Sequence, residues 1–115
     1  MRVLLIAHYF PPDGGAGSQR PASFAQHFPS LGAEITVVCR QLDDGKRGVY
    51  EPADRTLVER TAQARIRRAV ALDGETWTSA LLREAREAVR VERPDIIVVT
   101  LSPFEHAEVG FAIQH

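Results

Sequence analysis

Gly14, Gly15 and Gly17, followed by Arg20, are the residues of this chain whose types and spacing bear most directly on chemistry. Glycine carries no Cβ, so such a run lets backbone amides come close to a phosphate. The planar fork of an arginine pairs well with phosphate or carboxylate. The cluster reads as an anion site, and the competing reading is that the glycines only turn a long loop; spacing alone leaves both open. Two better-known phosphate motifs do not fit. Gly15-Ala16-Gly17-Ser18-Gln19-Arg20 puts Arg20 where the dinucleotide fingerprint needs its third glycine. Arg40 stands where that fold places an acid for the ribose, and a G-x-x-x-x-G-K-[ST] cradle is absent from the sequence.

Of the four histidines, His8 follows an apolar run directly and is a candidate for lining a ligand cleft, while His27, His106 and His115 have no such placement. None has cysteine, histidine or carboxylate neighbours at metal-ligand spacing, so no metal is expected. No serine occupies a G-x-S-x-G elbow. Cys39 is the only cysteine, which rules out an intrachain disulfide, and its place at the end of an apolar run suits a buried small side chain better than a nucleophile. Arg65, Arg67 and Arg68 read as a solvated helix face, with contact to a lipid headgroup or polyanion as the alternative.

The elements that position these groups follow a β-α-β rhythm. Arg2 to His8 is almost continuously apolar, as in a strand covered on both faces. The cluster Pro11, Pro12, Asp13, Gly14, Gly15 and Gly17 cannot continue it, and Ala22, Phe24, Ala25, Phe28 and Leu31 then mark a helix that Pro29 and Gly32 bring to an end. Glu34 to Cys39 is β-branched and predicts the second strand, which makes a βαβ unit with a right-handed crossover. Arg40 to Arg55 reads as a surface loop with turns, Thr56 to Arg60 as a short edge strand, and Ala62 to Leu72 as helix-compatible. Trp77, Leu81, Ala85 and Val89 share one face of a helix over Thr76 to Arg93, closed by Pro94. Asp95 to Thr100 is the clearest strand and is expected to be central in the sheet. Ser102, Pro103 and Glu105 form a capping box that starts a last helix. The fold class is therefore α/β: an open parallel Rossmann-like sheet of three or four strands in order 3-2-1-4, with helices on both faces.

Composition sets further bounds. A chain of 115 residues with 44% hydrophobic content holds one domain with a real core. Its 14 Lys and Arg against 15 Asp and Glu give a net charge of -1, so there is no electrostatic case for nucleic acid. Val3 to Ala7 is too short for a signal-peptide core or a membrane span, and the chain reads as cytoplasmic. Peripheral membrane contact through an amphipathic face or a partner domain stays open.

Several of these segments together resemble the start of family 4-like glycosyltransferases of the GT-B fold. The specific part runs from Tyr9-Phe10-Pro11-Pro12 to Gly14-Gly15-Ala16-Gly17-Ser18-Gln19-Arg20. Met1 to Ile6, Leu31 to Val38, Pro94 to Val99 and Ser102-Pro103 are similar to the family's strands and helix start, while Gln41 to Glu75 contributes little. The resemblance implies two Rossmann-like domains facing each other across a cleft. The C-terminal domain would bind the nucleotide-sugar donor and the N-terminal one chiefly the acceptor, with a retaining sugar transfer between them and no metal required. It places Gly14, Gly15, Gly17 and Arg20 at the donor diphosphate and acceptor, and Ser102 beside His8 among the cleft-lining residues. The family's histidine after the next strand and its paired glutamates would fall beyond His115, and His106 does not match the former when Ser102-Pro103 is aligned. Residues 1–115 are accordingly expected to be an incomplete N-terminal half, inactive alone and prone to self-association at an uncovered sheet edge. Two other readings remain: a free-standing α/β binding or interaction module, and a nicotinamide-dependent oxidoreductase fragment, which the failed fingerprint disfavours.

Overall fold

The computed structural model describes residues 1–11, 16–41, 59–100 and 107–114. Its elements are β1 (Arg2–Ala7), α1 (Ala16–His27), a single 3₁₀ turn (Pro29–Leu31), β2 (Glu34–Arg40), β3 (Arg65–Ala69), α2 (Trp77–Glu92), β4 (Ile96–Val99) and α3 (Ala107–Gln114). The strands form one all-parallel sheet in the order β3-β2-β1-β4, the expected architecture. Gly14, Gly15, Ser102 and most of the loop expected over Arg40 to Arg55 lie outside the described residues.

β1 is apolar along its length because both of its faces are covered. Val3, Leu5 and Ala7 pack with Ile35, Val37, Cys39, Phe10 and Ala25 on the α1 side. Leu4 and Ile6 pack with Val38, Ala69, Leu81, Ala85, Ala88 and Val109 on the side of α2 and α3. Each fully buried aliphatic side chain in these layers stabilises the fold by roughly 1.5–3 kcal/mol. β1 sits between β2 and β4 with Leu4 beside Thr36 and Ile97, which aligns the carboxyl ends of the strands at His8, Arg40 and Thr100.

Helix termini behave as their residues dictate. α1 ends at His27, the 3₁₀ turn follows, and Gly32 takes φ 85° while its N–H donates to the Pro29 carbonyl. Thr76 caps α2 by accepting from the Ser79 N–H at 3.1 Å. At the other end Arg93, the only non-glycine described with positive φ (49°), donates its N–H to the Val89 carbonyl before Pro94 turns the chain into β4.

Three expectations are corrected. Ala62 to Leu72 is not a helix: Arg65–Ala69 is the edge strand β3, paired with β2 from Thr36 to Arg40. The Arg-rich stretch is held extended by tertiary partners rather than by its own propensity, since Arg65 and Arg67 alternate onto the α2 face and find Glu92 and Glu84 there. The short strand expected at Thr56 to Arg60 is not formed where it is described, because Glu59 and Arg60 are helical and residues 56–58 lie outside the described set. β4 is an edge rather than a centre of the described sheet, and Ile96 is 43% exposed. It is apolar because β1, α2 and α3 cover much of it, with Ile97 and Val99 against the α2 and α3 layer and Val98 against the α1 layer.

Candidate functional site

In an open parallel sheet, ligands bind beyond the carboxyl ends of the strands, where helix amino ends present unpaired amides. Here that edge gathers His8 to Pro11 after β1, the first turn of α1, Arg40 and Gln41 after β2, Arg68 and Ala69 of β3, and the amino end of α2.

The amino end of α1 is pressed against the residues after β1. A Cβ on Gly17 would stand 2.8 Å from Cδ2 of Tyr9, so only glycine allows this approach. Next to it Ser18 is fully buried, and its Oγ has no hydrogen-bond partner among the described residues. A buried hydroxyl is normally paired, and leaving it unmatched costs about 1–3 kcal/mol. The first-turn amides of α1 are likewise without intrahelical acceptors and carry the positive end of the helix dipole. Among the described residues this corner therefore offers donors in excess of acceptors, which is what an anion needs. Arg20, two residues further on, is exposed on α1.

His8 is buried, with 9% exposure, at the carboxyl end of β1. Its ring meets Tyr9 edge-on at 4.6 Å between centroids and Trp77, the first residue of α2, at 6.2 Å. The Arg40 guanidinium lies 5.4 Å above the Tyr9 ring, so Tyr9 is held between a cation and the bare backbone of Gly17. Arg68 reaches from β3 across the end of β2 and donates to the Pro11 carbonyl at 2.7 Å, with longer contacts to the Arg40 carbonyl and the Cys39 Sγ, both 3.4 Å.

Of the residues singled out in the sequence, His8, Gly17 and Arg20 come to this edge, and Gly14, Gly15 and Ser102 lie outside the described residues. Tyr9, Ser18 and Arg40 belong to segments that the sequence brings to this edge without a role of their own, and Arg68 and Trp77 are not expected there. Arg68 was read as part of a solvated helix face, and the signal that places it is the two-residue alternation of Arg65, Arg67 and Ala69 against Ile66 and Arg68. Ser18 has no such signal, since only packing shows that its hydroxyl is buried and unmatched.

A cavity of about 280 Å³ lies at the opposite, amino edge of the sheet, lined by Arg2, Glu34, Arg65, Glu92 and their neighbours. Its charged groups already satisfy one another: Arg65 meets Glu92 at 2.6 Å and Arg2 meets Glu34 at 3.6 Å. The chemistry of the two ends, rather than the size of the hollow, identifies the carboxyl edge as the candidate site. Among the described residues there is no cluster of three or more His, Cys, Asp or Glu able to hold a metal ion, and no helix long and apolar enough to cross a membrane. Comparisons with protein-family models, curated proteins and solved structures give no match to this chain.

Proposed function

We propose that this chain is the acceptor-side part of a retaining glycosyltransferase of the family 4-like, GT-B kind, transferring a sugar from a nucleotide-sugar donor to a glycan, lipid or small-molecule acceptor. The observation that carries the reading is the buried Ser18 hydroxyl, without a partner among the described residues, in the first turn of α1, directly after the glycine cluster and at the carboxyl edge of the sheet. A diphosphate seated there receives the α1 amides and the Ser18 hydroxyl, and it lies on the positive end of the helix dipole.

In the transfer, the bond from the sugar's anomeric carbon to the diphosphate oxygen breaks and its electron pair stays on the diphosphate. The acceptor oxygen forms the new bond on the same face of the sugar, and its proton leaves with the diphosphate. Charge builds on the leaving group as this happens, and fixed donors aimed at that charge lower the barrier without reorganising. The α1 amides, the Ser18 hydroxyl and Arg20 supply such donors. Most contacts to the nucleotide and sugar belong to a second lobe in this reading.

The test is an amide-resolved NMR titration of the 115-residue chain with pyrophosphate, with nucleoside diphosphate sugars and with a nicotinamide dinucleotide. Saturable shifts of the Gly17, Ser18 and Gln19 amides with pyrophosphate, strengthened by one of the nucleotide sugars, are expected. Unmoved amides at saturating pyrophosphate would sink the reading. A response to the dinucleotide in place of pyrophosphate would transfer it to the oxidoreductase class.

A further inference from the structure

The arginines of β3 meet different fates. Arg65 donates to both carboxylate oxygens of Glu92, at 2.7 and 2.6 Å, and Arg67 donates through Nε to Glu84 at 2.8 Å. Arg68 alternates to the other face of the sheet and is half-buried. Its partners are the Pro11 carbonyl, the Arg40 carbonyl and the Cys39 sulfur, and no carboxylate among the described residues pairs with it.

Those partners are spread over two chain segments. Pro11 is the last described residue before the glycine cluster, 57 positions from Arg68 in sequence, while Cys39 and Arg40 end β2. A rigid guanidinium fork that spans both fixes the height above the sheet from which the chain departs toward α1. Guanidinium stays protonated and its acceptors here carry no formal charge, so among the described residues nothing neutralises its positive charge at Pro11, a few positions before α1 begins.

We propose that Arg68 is a positioning residue for the anion site: it holds the chain at Pro11 so that α1 presents its amides and the Ser18 hydroxyl, and its unneutralised charge draws a phosphate group to them. The second half rests on the diphosphate reading above; the first half does not.

The experiment compares R68K, R68M and, as a control, R67M in the 115-residue chain. Hydrogen exchange without ligand is read at the Arg20 and Ala22 amides, the first in α1 whose i−4 acceptors are both described. Pyrophosphate affinity is read at low and high salt. Both Arg68 variants should exchange faster than wild type at Arg20 and Ala22, since an ammonium cannot span the same acceptors, and R67M should match wild type there. R68M should lose about tenfold in pyrophosphate affinity, the scale of one charge-assisted hydrogen bond, and should also lose part of its salt dependence. R68K should keep that salt dependence because it keeps the charge. Wild-type exchange at both amides in R68K and R68M would overturn the positioning role, whatever binds. Wild-type protein that ignores pyrophosphate would overturn the charge role and the diphosphate reading together, while leaving the exchange result to decide positioning. If R68M does not fold, R68K carries the same decision through exchange.

Discussion

The two ends of the sheet use the same residue type in opposite ways. At the amino edge, Arg65 is matched by Glu92 and Arg2 by Glu34, and the Arg2 N–H donates to the Asp95 carboxylate at 2.8 Å. α2 runs back along the sheet and ends there, with Glu87 and Arg90 paired on its last turns. At the carboxyl edge, Arg68 rests on carbonyls and a sulfur, Arg40 lies over an aromatic ring, and the buried Ser18 hydroxyl is unmatched among the described residues. Arginine content therefore says little about where a ligand goes. Among the described residues the ends differ in what faces the donors: carboxylates at the amino edge, and carbonyls, a sulfur and a ring at the carboxyl edge, where the Ser18 hydroxyl is left over.

The contrast is broken most strongly at Gly17. Gly17→Val drives a branched side chain into Tyr9, where even a Cβ would lie 2.8 Å from the ring, and should destabilise the protein by about 1–3 kcal/mol in urea unfolding while abolishing pyrophosphate shifts at the amino end of α1. Unchanged stability would mean that Tyr9 yields and that the carboxyl edge is not tightly built. A smaller effect belongs to the ion pairs on the α2 side. Arg67 and Glu84 are each about one-quarter exposed, so Arg67→Met leaves a half-buried carboxylate alone, and a double-mutant cycle with Glu84→Gln should show coupling of about 1 kcal/mol. Zero coupling would remove the argument that matched arginines hold β3 to α2.

The smallest effect is a pH dependence from the closed end. The hydrogen bond from Arg90 holds the Glu87 carboxyl below its ordinary value of 4.5, against an opposing push from desolvation and with the charges of Arg90 and Arg67 adding to the lowering. A carboxyl whose pKa is lower folded than unfolded adds stability above the unfolded value, and that increment disappears as pH falls through the folded value. Glu87→Gln should therefore lower the urea midpoint slightly at neutral pH, converge with wild type as pH falls through the folded value, and show a difference that shrinks with added salt. A difference that persists in acid would place the cause in packing rather than in the ion pair.

Much of this architecture is legible from residue order. The apolar run of β1, the β-branched β2 and the Ile96-Ile97-Val98-Val99 run of β4 announce parallel strands, and the face shared by Leu81 and Ala85 announces α2. β3 is not legible, because its Arg65-Ile66-Arg67-Arg68-Ala69 composition describes its ion-pair partners on α2 and its neighbour β2 more than any local preference. Those partners are contributed from elsewhere in the chain. The candidate site divides in the same way. Gly17 and Arg20 announce themselves by type and position, and His8 by its place at the end of β1. Arg68 belongs to the site only because β3 is extended and adjacent to β2, and Ser18 only because packing buries its side chain between a half-buried Gly17 and an exposed Gln19.

Cys39 closes β2 at the carboxyl edge, fully buried, with the Arg68 guanidinium 3.4 Å from its sulfur. Since it is the only cysteine in the chain, a thiol-reactive reagent has a single destination and reaches it only when this end of the sheet comes apart. The rate of labelling then counts openings of the carboxyl edge alone, because fraying around Arg2 and Glu92 exposes no sulfur. The molecule thus carries a built-in clock for the end at which binding is proposed, readable without changing a residue.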